Sequence, residues 1–132
     1  MLTWPALIAV AIAGGCGAVC RYLLDRLVLG WTSGAVFPWG TWVVNVSGSL
    51  ALGLLVGAGS AAWLGATLST AITAGFLGAY TTFSTWMYES LRLIQEGSRL
   101  AGALNLAVSL ISGLIAAGAG LWVGTALVAS VA

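Results

Sequence analysis

The chain has 132 residues, of which 61% are hydrophobic and 5% charged, with a formal net charge of +1. A mean hydropathy of +1.09 excludes a soluble globular domain, and the small net charge offers no basic face for nucleic acid. There is no histidine, so the commonest general base and metal ligand is missing.

The charged residues are Arg21, Asp25, Arg26, Glu89, Arg92, Glu96 and Arg99, so residues 27–88 and 100–132 carry no formal charge. Roughly 20 apolar residues cross a bilayer. The length therefore allows about four spans in one membrane domain, residues 1–132, with no soluble domain besides. The expected fold is all-α integral membrane, with four transmembrane helices.

Span one is expected at about 4–24, ending in Arg21, Asp25 and Arg26. The run AGGC at 13–16 imitates a lipoprotein signal, but no basic segment precedes it, so a retained first span is expected. Cys16 and Cys20 lie four apart and read as small packing residues. A loop with Gly30, Ser33, Gly34 and Pro38 leads to span two, about 39–59. A short uncharged turn leads to span three, about 63–94. That run is longer than a straight crossing needs at about 1.5 Å per residue, so it projects beyond the bilayer or is broken. The loop QEGSR at 95–99 precedes span four, about 100–126. Trp4, Trp31, Trp39, Trp42, Trp63 and Trp122 fall near span ends, where amphipathic rings favour the interface. Trp86 lies inside span three. The 19 glycines suit close helix packing and an oligomer; Gly53 and Gly57 form one GxxxG pair.

Thr41, Asn45 and Ser49 share one face of span two, and Asn105, Ser109 and Ser112 share one face of span four. Buried amides and hydroxyls need partners. Interhelical bonding or a polar track for a crossing solute would each supply them. The span interiors contain no Asp, Glu or Lys, which disfavours proton coupling. Neutral donors suit a small anion or a passive path. Arg21 either faces a polar vestibule or snorkels to the interface.

The stretch GFLGAYTTFSTW, residues 75–86, puts Tyr80, Thr81, Thr82, Ser84 and Thr85 among glycines and aromatic rings. Gly75 and Gly78 weaken a helix, and the threonine hydroxyls compete for backbone groups. A break at 78–82, near mid-membrane, is expected. Such backbone is tolerated at depth only when protein-buried or lining a cavity. Freed carbonyls are good cation ligands, and aromatic edges are electropositive and can face an anion.

GGCGAVCRY (14–22), GTWVVNVSG (40–48) and GFLGAYTTFSTW (75–86) occur in that order across nearly the whole chain. Together they resemble the Fluc family of fluoride channels, also called CrcB proteins. The resemblance implies a bacterial plasma (inner) membrane location and an antiparallel, inverted dimer of four-helix subunits. Two fluoride pathways would run along its interface. A structural sodium ion (Na+) at the dimer centre would be held by backbone carbonyls that match Gly78 and Thr81. Asn45 matches a fluoride donor, and Phe83 a ring whose edge faces the ion. Ser109 and Ser112 are the fourth-helix donor candidates. Thr82 and Ser84 of the break join the expected pathway, and Arg21 matches the basic residue of the first helix. The function implied is passive, fluoride-selective export down the ion's gradient.

Two departures stand out. Trp86 occupies the place of the family's second signature phenylalanine. Its indole either serves an anion through its N–H or narrows or disables one pathway. In addition, all four arginines lie on or near one side, which places both termini outside by the positive-inside rule. That bias fits one half of a heterodimer with an oppositely biased paralogue; a dual-topology homodimer is the rival. A non-conducting or partner-dependent subunit is the alternative function. A small multidrug exporter would want a glutamate in span one, which has none. No serine or cysteine has an evident base, so an enzyme is not expected.

Overall fold

A computed structural model describes residues 3–130. The expected domain's ends, residues 1–2 and 131–132, lie outside the described residues. The regular secondary structure of the described residues is all helical, with no strand. The helices are α1 (Trp4–Trp31), α2 (Trp39–Gly57), α3 (Ser60–Leu64), α4 (Ala66–Thr70), α5 (Gly78–Tyr80), α6 (Phe83–Gln95) and α7 (Arg99–Ala129). A π-helical segment, Ala71–Leu77, joins α4 to α5. Among the described residues, α1, α2 and α7 are long and apolar enough to cross a membrane. The chain is a membrane protein with several apolar helices.

Local chemistry sets the ends. Pro5 sits in the first turn of α1, where a missing N–H costs nothing. At the other end the Thr32 hydroxyl and N–H both donate to the Val28 carbonyl, 2.8 and 2.9 Å away. Gly34 then turns the chain at φ 88°, in the left-handed region. α1 thus runs seven residues past Leu24, through Arg21, Asp25 and Arg26. Charge ends an apolar run, not a helix.

The apolar run expected at 63–94 is not one helix. It begins earlier, at Ser60, and turns at Gly59 and Gly65, both with positive φ. The Ser60 and Ser69 hydroxyls, both buried and 2.9 Å apart, tie the two sides of that turn. Helix resumes through α5, stops at Tyr80 and restarts at Phe83.

Packing follows the small residues. α2 lies along α7, α1 along the π-helical segment and α5, and α6 along the first half of α7. A Cβ added at Gly53 or Gly57 would strike the carbonyls of Ala117 or Leu121. One added at Gly120 or Gly124 would strike those of Leu50 or Leu54. The two backbones therefore touch from both sides, as helices do where lipid supplies no hydrophobic drive. Gly17 takes the Phe76 carbonyl in the same way, seating the π-helical segment on α1.

Candidate functional site

The interruption between α5 and α6 is held by side chains. Thr81 and Thr82 are extended, at φ −76°, ψ 157° and φ −144°, ψ 119°. The Thr82 N–H donates to Asn45 Oδ1 at 2.7 Å, and Asn45 Nδ2 donates to the Thr82 carbonyl at 2.9 Å. One amide on α2 thus replaces both ladder bonds of the residue that leaves the helix. The Thr82 hydroxyl then caps α6, accepting the Thr85 N–H at 3.2 Å.

Two carbonyls lose their helical partners as a result. In an unbroken helix the Thr82 N–H would close on Gly78 and the Thr85 N–H on Thr81. Asn45 and the Thr82 hydroxyl take those donors instead. No hydrogen bond to either carbonyl is recorded among the described residues. Gly78 itself is still helical, at φ −64°, ψ −32°, and exposed. The interruption is narrower than residues 78–82.

Beside it lies a cavity of about 370 Å³. It is lined by Asn45, Gly78, Thr81, Thr82, Phe83, Trp86 and Ser109, with Ser49 and Thr73 as further polar residues, and no charged residue lines it. Phe83 is 71% exposed, and its ring meets Trp86 edge to face, centroids 5.4 Å apart. A smaller cavity of about 160 Å³ holds Arg21 with Tyr22, Asp25, Thr41, Val44, Thr82 and Thr85. Thr82 lines both, whereas Asn45 lines only the first. A third cavity, about 480 Å³ on the side of the charged loops, shares Asp25 and Thr41 with the second.

Two sequence candidates lie elsewhere. Ser112 does not line the cavity beside the interruption; its hydroxyl accepts the Trp42 Nε1–H at 2.9 Å and donates to the Val108 carbonyl at 2.6 Å. Ser84 is exposed, with its hydroxyl 3.5 Å from that of Thr82. The Trp86 Nε1–H donates to the Asn105 carbonyl at 3.0 Å. Its single donor is engaged between α6 and α7, so the ring brings to the cavity only C–H edges and its π face.

Ser49, Gly48 and Thr73 are among the lining residues that escaped the sequence's site list. Ser49 lay on the polar stripe of α2. Gly48 lets the interruption approach, since a Cβ there would strike the Thr81 methyl. Thr73, whose hydroxyl donates to the Ser69 carbonyl, gave no sequence signal.

A helical membrane protein with an uncharged, donor-bearing cavity beside an interrupted helix is the class this architecture defines. Residues 8–121 match the family model described as CrcB-like protein, Camphor Resistance (CrcB), and the chain belongs to that family. It is 44% identical over 126 residues to fluoride-specific ion channel FluC 1 of Streptomyces avermitilis, covering 96% of this chain and 98% of that one. It is 42% identical over 121 residues to FluC 1 of Symbiobacterium thermophilum, covering 91% and 94%. Against FluC 2 of Mycobacterium tuberculosis it is 42% identical over 125 residues, covering 92% and 93%.

Proposed function

We propose that this chain forms a passive, fluoride-selective channel that lets the ion leave the cytoplasm down its gradient. The observation that carries the reading is the cavity beside the interruption: compact neutral polar groups, aromatic edges and no ionisable group. Fluoride is small and strongly hydrated. A path for it must replace water with short, fixed donors, and filters select by ligand geometry and field strength. A proton-coupled exporter would need an ionisable group at depth. The names of the relatives, fluoride-specific ion channel, agree with this reading, and an ion channel is not an enzyme.

In this proposal the stretch from Ser60 to Gln95 makes the third of four crossings, interrupted near mid-membrane at Thr81–Thr82. The subunit pairs with an inverted second subunit in a bacterial inner membrane. Arg21 lies at the vestibule leading inward, and Asn45, Thr82, Phe83, Trp86 and Ser109 line the route. Ser84 and Ser112, off that cavity in one subunit, belong to the route only through the paired subunit.

The implied sodium ion fits the carbonyl geometry. Gly78 and Thr81 each offer a carbonyl whose helical donor has been diverted, and Gly78 is exposed on the subunit surface. Hard cations take oxygen ligands of this kind. Bound there, sodium would supply positive charge beside the anion route.

The partner is a second copy or a paralogue. The relatives' numbered names, FluC 1 and FluC 2, and the four arginines on one side favour a paralogue.

The test is fluoride efflux from liposomes containing the purified chain, read with a fluoride electrode, with chloride efflux in parallel. Fast fluoride efflux with chloride retained is expected if the chain suffices alone. Efflux only after adding the paralogue assigns it the heterodimer role. Equal release of both ions would remove selectivity from the reading.

A further inference from the structure

Asn105 lies on α7 at 1% exposure, behind the wall of the cavity beside the interruption and not on it. All its side-chain bonds can be assigned from one end. Ser90, also 1% exposed, donates its only hydroxyl proton to the Trp86 carbonyl at 2.8 Å. It can therefore only accept from Asn105, which fixes Nδ2 toward Ser90, 2.8 Å away. Oδ1 must then face Ser109, which lies 3.0 Å off. An amide oxygen has no proton to give, so the Ser109 hydroxyl donates to it. The chain of bonds runs in one direction, from Ser109 through Asn105 and Ser90 to the α6 backbone.

Ser109 does line the cavity. With its proton committed behind the wall, it turns lone pairs toward the ion route. An anion gains this donor only by drawing the proton off Oδ1, which leaves a buried acceptor unpaired. Such a loss shifts an equilibrium by roughly 5- to 100-fold. Fluoride, the smallest and strongest acceptor among the halides, can outcompete a neutral amide oxygen. Chloride, larger and weaker, gains too little.

We propose that Asn105 is a specificity-determining positioning residue, which withholds the Ser109 proton from weak acceptors and releases it to fluoride. Ser90, remote from the cavity, sets the direction of the Asn105 amide and so takes part in the same discrimination. The proposal rests on the channel reading above.

The experiment compares fluoride and chloride efflux from liposomes for the full chain, Ser90→Ala and Asn105→Leu, each with and without Ser109→Ala. Ser90→Ala removes a single oxygen; either amide orientation then makes one bond, and Ser109 is no longer forced to donate inward. A chloride-to-fluoride ratio raised at least roughly fivefold is expected in both variants, and no rise when Ser109 is alanine. Unchanged ratios in Ser90→Ala and Asn105→Leu overturn the proposal. So does a rise that persists in the Ser109→Ala background, which would mark general loosening of the α6–α7 contact. Should conduction need a paralogue, the same variants are read by fluoride- and chloride-induced shifts in melting temperature of the purified protein. A wild-type chain that conducts and discriminates while the variants do too defeats only the role given to Asn105. A wild-type chain that neither conducts nor is stabilised by fluoride defeats the channel reading, and the Asn105 role with it.

Discussion

The two halves of α7 hold their neighbours by opposite means. Its C-terminal half meets α2 through Gly120 and Gly124, against Gly53 and Gly57, with backbone on backbone and no side chain between. Its N-terminal half has one such close contact, Gly102 against the Ser90 carbonyl, but is joined to α6 chiefly through polar side chains, with Asn105 and Ser90 at the centre and the Trp86 N–H on the Asn105 carbonyl. The glycine seam is a steric fit, worth many small dispersion contacts and intolerant of added atoms. The polar contact is a set of directed bonds, each worth about 0.6–2 kcal/mol between membrane helices. The first can only be packed or unpacked, whereas the second assigns protons, and a route for an anion depends on where protons point.

The sharpest way to break the comparison is to overfill the seam. Gly53→Val puts a branched side chain onto the Ala117 carbonyl, where no flexible group can yield. Overpacking costs about 1–3 kcal/mol, and more where backbone must move. The expected loss is about 3 kcal/mol or greater, seen as little monodisperse protein and a collapsed melting transition in detergent. Gly118→Val adds a side chain where nothing lies within 4 Å and should melt near wild type. Equal behaviour of the two variants would show that the seam is not the constraint.

On the polar side the largest effect is expected at Asn45. Asn45→Asp, ionised, still accepts the Thr82 N–H but cannot donate to the Thr82 carbonyl, and it sets a negative charge on the cavity wall. Fluoride efflux should fall by about 100-fold or more, as the loss of about 3 kcal/mol implies, while size-exclusion chromatography still finds the assembled protein. Wild-type efflux from this variant would remove Asn45 from the route.

These two regions were not equally readable in the sequence. α1, α2 and α7 followed from apolar runs set between charged clusters and Gly–Pro loops, and Gly53–Gly57 stood out by spacing. Their ends did not, because Thr32 and Gly34 stop α1, not its charges. The threonine-rich stretch announced a break, but its width depends on Asn45, 37 positions away from Thr82. The π-helical segment left no signal that its glycine content does not also give to an ordinary helix. Pairings across helices were out of reach for the same reason. Trp42 meets Ser112 across 70 positions and Trp86 meets Asn105 across 19, and both depend on how each helix is rotated. Composition fixes a face to within a stripe; it does not say which hydroxyl on that stripe has spent its proton.

The smallest effect sharpens the comparison most. Trp86→Phe deletes the indole N–H and leaves the Asn105 carbonyl with one acceptor bond fewer, near the Ser90–Asn105–Ser109 chain but outside it. One neutral interhelical bond is worth about 1 kcal/mol, so a fall of a few degrees in melting temperature is expected. The cavity loses no donor by this change, since the N–H already points into the α6–α7 contact. Fluoride should therefore remain preferred over chloride, with any change in efflux set by the smaller ring. A variant that loses discrimination would mean that the Trp86 N–H leaves Asn105 and serves the ion. In that case the polar half of α7 is a moving part of the route, and the contrast with the glycine seam becomes one of motion as well as chemistry.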